Sequence, residues 1–234
     1  MRILVPGLLF CFAAFGQEAP QPEARTTVVK MSLDKAAWAF TAEQGKAALT
    51  NTPTGALTFS FPVVPNFVPG NDTASVNYLE TAHNLSIAGY TTLATTLQLS
   101  VTGNVVFNYM TESDNTCVSP AHARFIIDTG GDGQYDRWWA RPLPFLLDAK
   151  NAGLPRTMAV ALNPALWSSV FGQTGNLNSQ TELGFSNALK HVRYLGLTFG
   201  GGCFYGHGVS VSGGTAQLTI SAFYVSNYYP WPIR

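Results

Sequence analysis

The sequence predicts an all-β fold, a single antiparallel β-sandwich of the jelly-roll type with one or two short helices. Short runs rich in β-branched and aromatic residues recur along the chain, and turn-forming residues separate them. Helices do not alternate with these runs, as a parallel βαβ fold would require. Charged residues make up only 11% of the 234 residues, and Thr, Ser, Asn and Gly supply the polarity instead. This composition suits strands that expose hydroxyl groups on their wet faces.

Nine runs have the composition of β-strands, and turn-rich segments such as VTGN, DTGGDGQ and SGG lie between them. In the last run apolar and polar residues alternate from Gln217 to Phe223, as a strand covered on one face requires. So many strands without regular helices predict a sandwich. The runs span residues 27–33, 55–64, 91–101, 104–111, 123–128, 135–140, 157–162, 192–199 and 215–225.

Two segments predict short helices. Residues 184–192 place Phe185, Leu189 and Val192 at helical spacing. Residues 36–50 can form a second short helix, because they are rich in alanine and other helix formers. Neither segment is long enough to change the predicted fold class.

The N-terminal residues have the pattern of a secretory signal peptide. Arg2 precedes an apolar run over residues 3–15, and small residues stand before Gln17 at the expected cleavage point. The run is shorter than the roughly 20 apolar residues that span a bilayer. We expect a secreted or periplasmic protein with no transmembrane segment in its mature chain; a buried N-terminal strand is the alternative. The expected divisions are a signal peptide at 1–16, a flexible leader at 17–26 and the β-sandwich at 27–234.

Cleavage of the signal peptide would leave two cysteines, Cys117 and Cys203. An even number in an exported chain favours a disulfide, because the compartment is oxidising. Two separate buried thiols are the alternative. The cysteine spacing argues against the usual zinc and redox sites, since no CxxC motif is present.

An acidic, glycine-rich loop is the first candidate site. Asp128, Asp132 and Asp136 follow one another at a spacing of four, and carboxylates on a bent loop can supply several of the oxygen ligands that Ca²⁺ needs. The match to a calcium-binding loop is partial, because Gly130 and Trp139 stand where ligands are usual. The alternative is a hairpin loop that holds no metal, between the strand runs on either side.

Aromatic residues make up 12% of the chain and predict a ligand-binding surface. Sugars stack their apolar faces on aromatic rings and hydrogen-bond to neighbouring polar side chains. The two adjacent tryptophans must leave opposite faces of their strand, so one is expected in the core. The alternatives are ordinary core packing for the aromatic rings and a structural role for the histidine. The candidate ligand-binding residues are Trp138, Trp139, Tyr205, His207 and Arg137.

Charge and motifs argue against two classes of function. The 13 basic and 13 acidic residues balance, and the basic ones are scattered, whereas nucleic-acid binding needs a clustered basic face. No HExxH or GxSxG motif is present, and no motif pairs the available carboxylates, so no catalytic residue is assigned. Folding can still join residues that are distant in sequence.

The second half of the chain resembles exported jelly-roll domains similar to carbohydrate-binding modules and galactose-binding-like domains. The resemblance rests on YDRWWA, LNPALWSSVFG, FSNALKHV and the segment from Leu195 through the glycine run to Val225. It covers about 110 residues, and its motifs are structural. It implies the sandwich fold and, for the function, glycan recognition, and it transfers no catalytic residue.

These observations predict a secreted, non-catalytic glycan-binding or cell-surface recognition domain, with a polysaccharide or cell-surface glycan as partner and with Ca²⁺ as the one candidate cofactor. A structural or adhesive protein without a small ligand is an alternative. A β-sandwich glycosidase or polysaccharide lyase is another. Such an enzyme would need two facing carboxylates, or a Tyr/His pair beside a basic residue.

Overall fold

The computed structural model describes residues 26–41, 47–66, 76–109, 120–141, 145–201 and 206–228. These residues form two antiparallel sheets that pack around one hydrophobic core, so the predicted all-β sandwich is confirmed. Within the same ranges, no helix has the length and apolar character needed to cross a membrane. The signal peptide, Cys117 and Cys203 lie outside the described residues, as does nearly all of the expected leader.

Thirteen strands and one α-helix make up the described structure. Three short 3-10 turns lie at Lys35–Ala37, Ala149–Asn151 and Pro164–Leu166. The α-helix, α1, spans Ser179–Lys190. The strands are β1 Val28–Lys30, β2 Trp38–Thr41, β3 Thr50–Asn51, β4 Leu57–Ser60, β5 Tyr78–Leu85, β6 Thr92–Tyr109, β7 His122–Asp128, β8 Arg137–Ala140, β9 Phe145–Leu146, β10 Arg156–Ala161, β11 Trp167–Ser169, β12 Val192–Gly200 and β13 Val209–Ser226.

The first sheet has the order β10-β6-β13-β4-β3, with β1 also paired to β13. The second sheet has the order β11-β8-β7-β12-β5-β2, with β9 beside β7. In the second sheet β7 and β8 form the hairpin that the sequence predicts around the acidic loop, with Asp128 opposite Arg137. That hairpin prediction is confirmed.

Two predicted turns lie inside long strands instead. The segments VTGN and SGG fall within β6 and β13, which pair with one another along most of their 18 residues. The pairing shifts register between Ser212 and Gly214, and Gly103 and Gly213 adopt positive φ angles of 84° and 70°. Because glycine accepts this conformation without a steric penalty, the strands bend at an irregularity and continue. The prediction that strands end at these two segments is wrong.

Aromatic rings join the two sheets across the core. Phe59 of the first sheet contacts Phe199 of the second edge-on, with the ring centroids 5.7 Å apart. Phe223 and Phe125 make the same kind of contact at 5.8 Å. Phe61 also packs against Phe199 at 5.7 Å. Such pairs stabilise the core through buried apolar area and through the favourable edge-to-face geometry.

Helix α1 confirms the helical prediction for residues 184–190 and extends it towards the N-terminus, whereas Val192 begins β12 instead of continuing the helix. Phe185 is buried, as its helical spacing requires. The helix begins five residues before the predicted segment, because the Asn178 side chain accepts hydrogen bonds from the backbone of Gln180 and Thr181 and caps it there.

The second helical prediction is wrong for the first part of residues 36–50, where β2 pairs with β5, and residues 42–46 lie outside the described ranges. Trp38 and Phe40 alternate at the period of a strand and pack against Phe223 and Phe59. These tertiary contacts override the local helical propensity.

We expect Phe199→Ala to lower the free energy of unfolding by about 3–5 kcal/mol, because the ring fills space between the two sheets. Phe171→Ala is the matched control: its ring is 70% exposed, so the loss should stay within about 0.5 kcal/mol. Equilibrium denaturation in urea measures both values. Equal losses in the two variants would contradict this account of the core.

Candidate functional site

One row of residues crosses five adjacent strands of the second sheet. The pairing register places Glu80, Gly196, Ile126, Trp139 and Ser168 opposite one another in turn. Residues that face each other across paired strands point to the same side of the sheet. The five residues therefore share one face.

This face is turned away from the core. Ile127 and Trp138 belong to the core cluster, whereas their chain neighbours Ile126 and Trp139 do not, although both are buried. Successive residues of a strand alternate between the two faces, so the row lies on the outer face of the second sheet. The predicted divergence of the two tryptophans is confirmed.

Two further rows flank the first and carry most of the polar groups. Tyr78 and Arg124 lie opposite Thr198 in one row, and Asp128 lies opposite Arg137 and Tyr194 in the other. Six of these outer-face residues converge, and together they are called the outer-face cluster: Tyr78, Glu80, Arg124, Asp128, Arg137 and Trp139.

The outer-face cluster has a buried floor and a partly exposed rim. Glu80 and Arg124 in the floor are only 5% and 7% exposed, beside the similarly buried Trp139. On the rim, the side chains of Arg137 and Asp128 are 37% and 15% exposed. Charged residues on the outside of a sheet are normally left in water, since burying them costs free energy unless they are paired. The floor is therefore an unusual feature for an outer face.

Electrostatic contacts link side chains across the cluster. The Arg137 guanidinium lies 3.8 Å from the Asp128 carboxylate and interacts with the Tyr78 phenol. Tyr78 and Arg137 sit on strands three spacings apart, roughly 14 Å in a flat sheet. These two long side chains therefore lean towards one another over the outer face.

The loop before β13 borders the cluster. The Gly206 backbone lies so close to the Tyr78 hydroxyl that a Cβ atom there would clash with it. The Asn77 side-chain amide donates a hydrogen bond of 2.9 Å to the Gly206 carbonyl and fixes the loop in this place. His207 therefore follows directly after the point of contact with Tyr78.

Burial shifts the pKa values of two rim residues, Tyr78 and Asp128. It raises the pKa of Tyr78 above its ordinary value, and the neighbouring Arg137 offsets this only in part. Burial also raises the pKa of Asp128, although the Gly130 N–H and Arg137 both favour its charged form. Tyr78 consequently stays protonated at neutral pH and offers a hydrogen-bond donor.

The acidic loop turns its carboxylates to different partners. Asp136 accepts hydrogen bonds of 2.6 Å from the Thr129 hydroxyl and the Gly133 N–H, while Asp132 is exposed. Asp128 faces Arg137. No group of three His, Cys, Asp or Glu side chains gathers as a metal site would need anywhere in the described ranges. The loop's own hydrogen bonds account for Asp136, and calcium binding by the three aspartates stays a prediction without support in this geometry.

The structure places the predicted ligand-binding residues in different environments. Trp138 lies in the core, where its Nε1 donates to the Tyr135 carbonyl at 2.8 Å, so the expectation that it meets a ligand is wrong. Trp139 is on the outer face but only 5% exposed, so its ring supports the floor and offers no stacking surface. Arg137 belongs to the outer-face cluster and His207 borders it. Tyr205 lies outside the described residues.

The sequence patterns did not identify Tyr78, Glu80 and Arg124 as residues of the candidate site. The first two stand on β5, which was not among the predicted strands because polar residues interrupt its apolar pattern. Their spacing of two was the available signal, since it puts both side chains on one face of a strand. Arg124 stands inside a correctly predicted strand, between residues of the core face.

No protein-family model and no curated protein matches the chain. The class of the protein is therefore defined by its fold and its site. It is an antiparallel β-sandwich whose second sheet carries a polar cluster on its outer face.

We expect His122, at one edge of this face, to make stability depend on pH. Burial and the nearby Arg124 lower the pKa of His122 from 6.5 to about 4. In this interval the unfolded chain binds a proton that the folded protein does not, so the stability present above pH 6.5 is lost as the pH falls towards 4. The wild type should lose on the order of 1–2 kcal/mol more than His122→Gln over this window.

Urea denaturation at several pH values between these limits provides the measurement. His191→Gln, at an exposed histidine, is the control and should keep the wild-type dependence. A His122→Gln variant with an unchanged pH profile would contradict the assignment.

Proposed function

We propose that the protein is a secreted glycan-binding domain and that its ligand binds over the outer-face cluster. The observation that carries the proposal is the buried, mixed-charge floor on the outer face of the second sheet. Export is proposed from the apolar N-terminal run of the sequence. The rest of the argument concerns the face itself.

The rim offers the chemistry that sugars need. Tyr78 and Tyr194 are partly exposed and provide ring surface for the apolar faces of sugar rings. Arg137 and Asp128 provide donors and acceptors for hydroxyl groups, and their mutual contact holds them in place before a ligand arrives. Preorganised polar groups on a concave surface reduce the entropy cost of binding.

A purely structural role does not explain why the floor contains buried charges. Burying Arg124 and Glu80 costs desolvation free energy, and well-packed apolar residues at the same places would stabilise the sheet as well or better. Recognition of a ligand is one reason for a protein to keep such groups in spite of this cost. This favours a ligand-binding face over an adhesive surface without a ligand.

We expect Tyr78→Ala and Arg137→Ala each to weaken glycan binding at least about tenfold, because both side chains lie on the rim. The measurement is affinity electrophoresis of the folded protein in gels cast with a panel of polysaccharides. Tyr228→Ala and Arg156→Ala change exposed residues of the same types elsewhere and should bind as the wild type does. Thermal melts identify any variant that fails to fold.

Retardation that survives in both rim variants would move the binding site to another surface. A wild type that no polysaccharide in the panel retards would remove the support for glycan binding.

A polysaccharide lyase is the second candidate, and one observation favours it. Tyr78 interacts with Arg137 and touches the Gly206 backbone, next to His207, so a tyrosine and a basic residue lie beside the loop that carries a histidine. In β-elimination on a uronic acid a base takes the C5 proton, the C4–O bond breaks and a C4=C5 double bond forms. Arg137 would hold the carboxylate, His207 would accept the proton, and Tyr78 would protonate the departing oxygen.

We expect that a lyase would release products that absorb ultraviolet light, because elimination creates a double bond conjugated to the carboxylate. Tyr78→Phe should lower that rate by about a hundredfold or more while it leaves most of the binding, since only the transferable proton is removed. The spectrophotometric assay uses a polyuronate substrate. No product from the wild type, or equal rates in both proteins, would exclude this role for Tyr78.

A further inference from the structure

A concave surface opens at the end of the outer face, where α1 meets the second sheet. It is a groove of about 310 Å³, and several loops and element ends line it. Its polar lining, here called the basic groove, consists of Asn84, Ser86, Thr129, Lys190, His191 and Arg193.

The basic groove carries positive charge that nothing in its lining balances. Lys190, His191 and Arg193 are exposed, and no acidic residue is among the lining residues. Asp136 accepts hydrogen bonds from its own loop, and Asp128 contacts Arg137 and interacts only secondarily with Arg193, so this one shared carboxylate does not offset both Lys190 and Arg193. The groove can therefore attract an anion.

The adjacent helix end does little to cancel this charge. A helix C-terminus carries partial negative charge on its last carbonyl groups. Here the Leu189 carbonyl accepts hydrogen bonds from the backbone of Ile87 and Ala88, and the Asn187 and Ala188 carbonyls accept from the His191 N–H. These bonds satisfy the carbonyls, so the lysine and arginine dominate the potential in the groove.

The groove continues the surface on which the proposed ligand lies. Asn84 lies on the same strand as Tyr78 and Glu80, just past Ala82, where the pairing of β5 with β12 becomes irregular, and it is exposed. The Arg193 guanidinium lies 5.3 Å from the ring centroid of Tyr194, which belongs to the outer face. From Tyr78 to Asn84 the strand runs roughly 20 Å, a length that suits an extended oligosaccharide.

We propose that the basic groove binds a carboxylate or sulfate group of the same glycan, so that the ligand is an acidic polysaccharide. This inference rests on the proposed glycan-binding function and adds the chemical class of the ligand. Arg193 provides the forked donors that match a carboxylate or a sulfate, and Lys190 provides a second charge. The Asn84 amide and Ser86 hydroxyl then contact the neighbouring sugar hydroxyls.

The experiment compares charged and uncharged forms of the same polymers in affinity gels. Polygalacturonate is run beside its methyl ester, and dextran sulfate beside dextran. We expect the wild type to bind one acidic polymer at least about fivefold more tightly than its neutral form, with a preference that weakens as salt is added. The double variant Lys190→Gln/Arg193→Gln should lose that preference and keep the weaker binding of the neutral form.

Lys150→Gln/Arg156→Gln is the matched control, because it removes the same charge from exposed residues outside the groove. If it loses the acidic preference as fully as the groove variant does, the attraction is general and the groove proposal is wrong. Equal binding of acidic and neutral forms by the wild type would also overturn it, while the proposed glycan-binding function would stand. If no polymer is bound at all, both proposals fail together.

Discussion

The close approach of β5 and β12 at Gly196 is the constraint on which the outer face depends. A Cβ atom at Gly196 would collide with the Leu79 carbonyl oxygen, so only glycine permits this pairing. The same strand pairs with β7 on its other edge, and it thereby fixes the register of both neighbours. Its inward residues, which include Phe199, fill the core. One strand thus determines both the packing of the sandwich and the position of the polar cluster.

The buried charges in the floor of the cluster lower the stability of the sheet, but they are held in a fixed arrangement. The Arg124 guanidinium donates to the Arg141 carbonyl at 3.4 Å, so it is tied to the chain that leaves β8. Removing one partner from a group of buried charges is costly, because the others stay in a poorly solvated place. Because of this cost, the buried charges keep their places and give Arg137 and Tyr78 a rigid support. A rigid rim is what recognition of a flexible polymer needs, since the ligand already loses entropy on binding.

The fold was largely predictable from local patterns, and the site only in part: Asp128, Arg137 and Trp139 were candidates, whereas Tyr78, Glu80 and Arg124 were not. The hairpin around the acidic loop and the alternating last strand could be found because their signals lie within a few residues of one another. Strand β5 was missed because Glu80, which belongs to the floor, interrupts the apolar pattern by which strands are found. The positions of Trp138 and Trp139 show the same limit: alternation predicts opposite faces, but only the register with β7 shows which face is the core. Functional residues often depart from the local sequence patterns of strands and helices, so predictions from those patterns fail first at such residues.

The acidic loop is best understood through its connection to the rim. Gly131 and Gly133 pack so closely against the Asp136 carboxylate that side chains there would clash, and this lets Asp136 fold back onto its own loop. The folded loop places the Gly130 N–H against the Asp128 carboxylate. Asp128 in turn contacts Arg137, which interacts with Tyr78. The glycines and aspartates that suggested a metal site in the sequence therefore form a chain of contacts that ends at the rim, and each link orients the next.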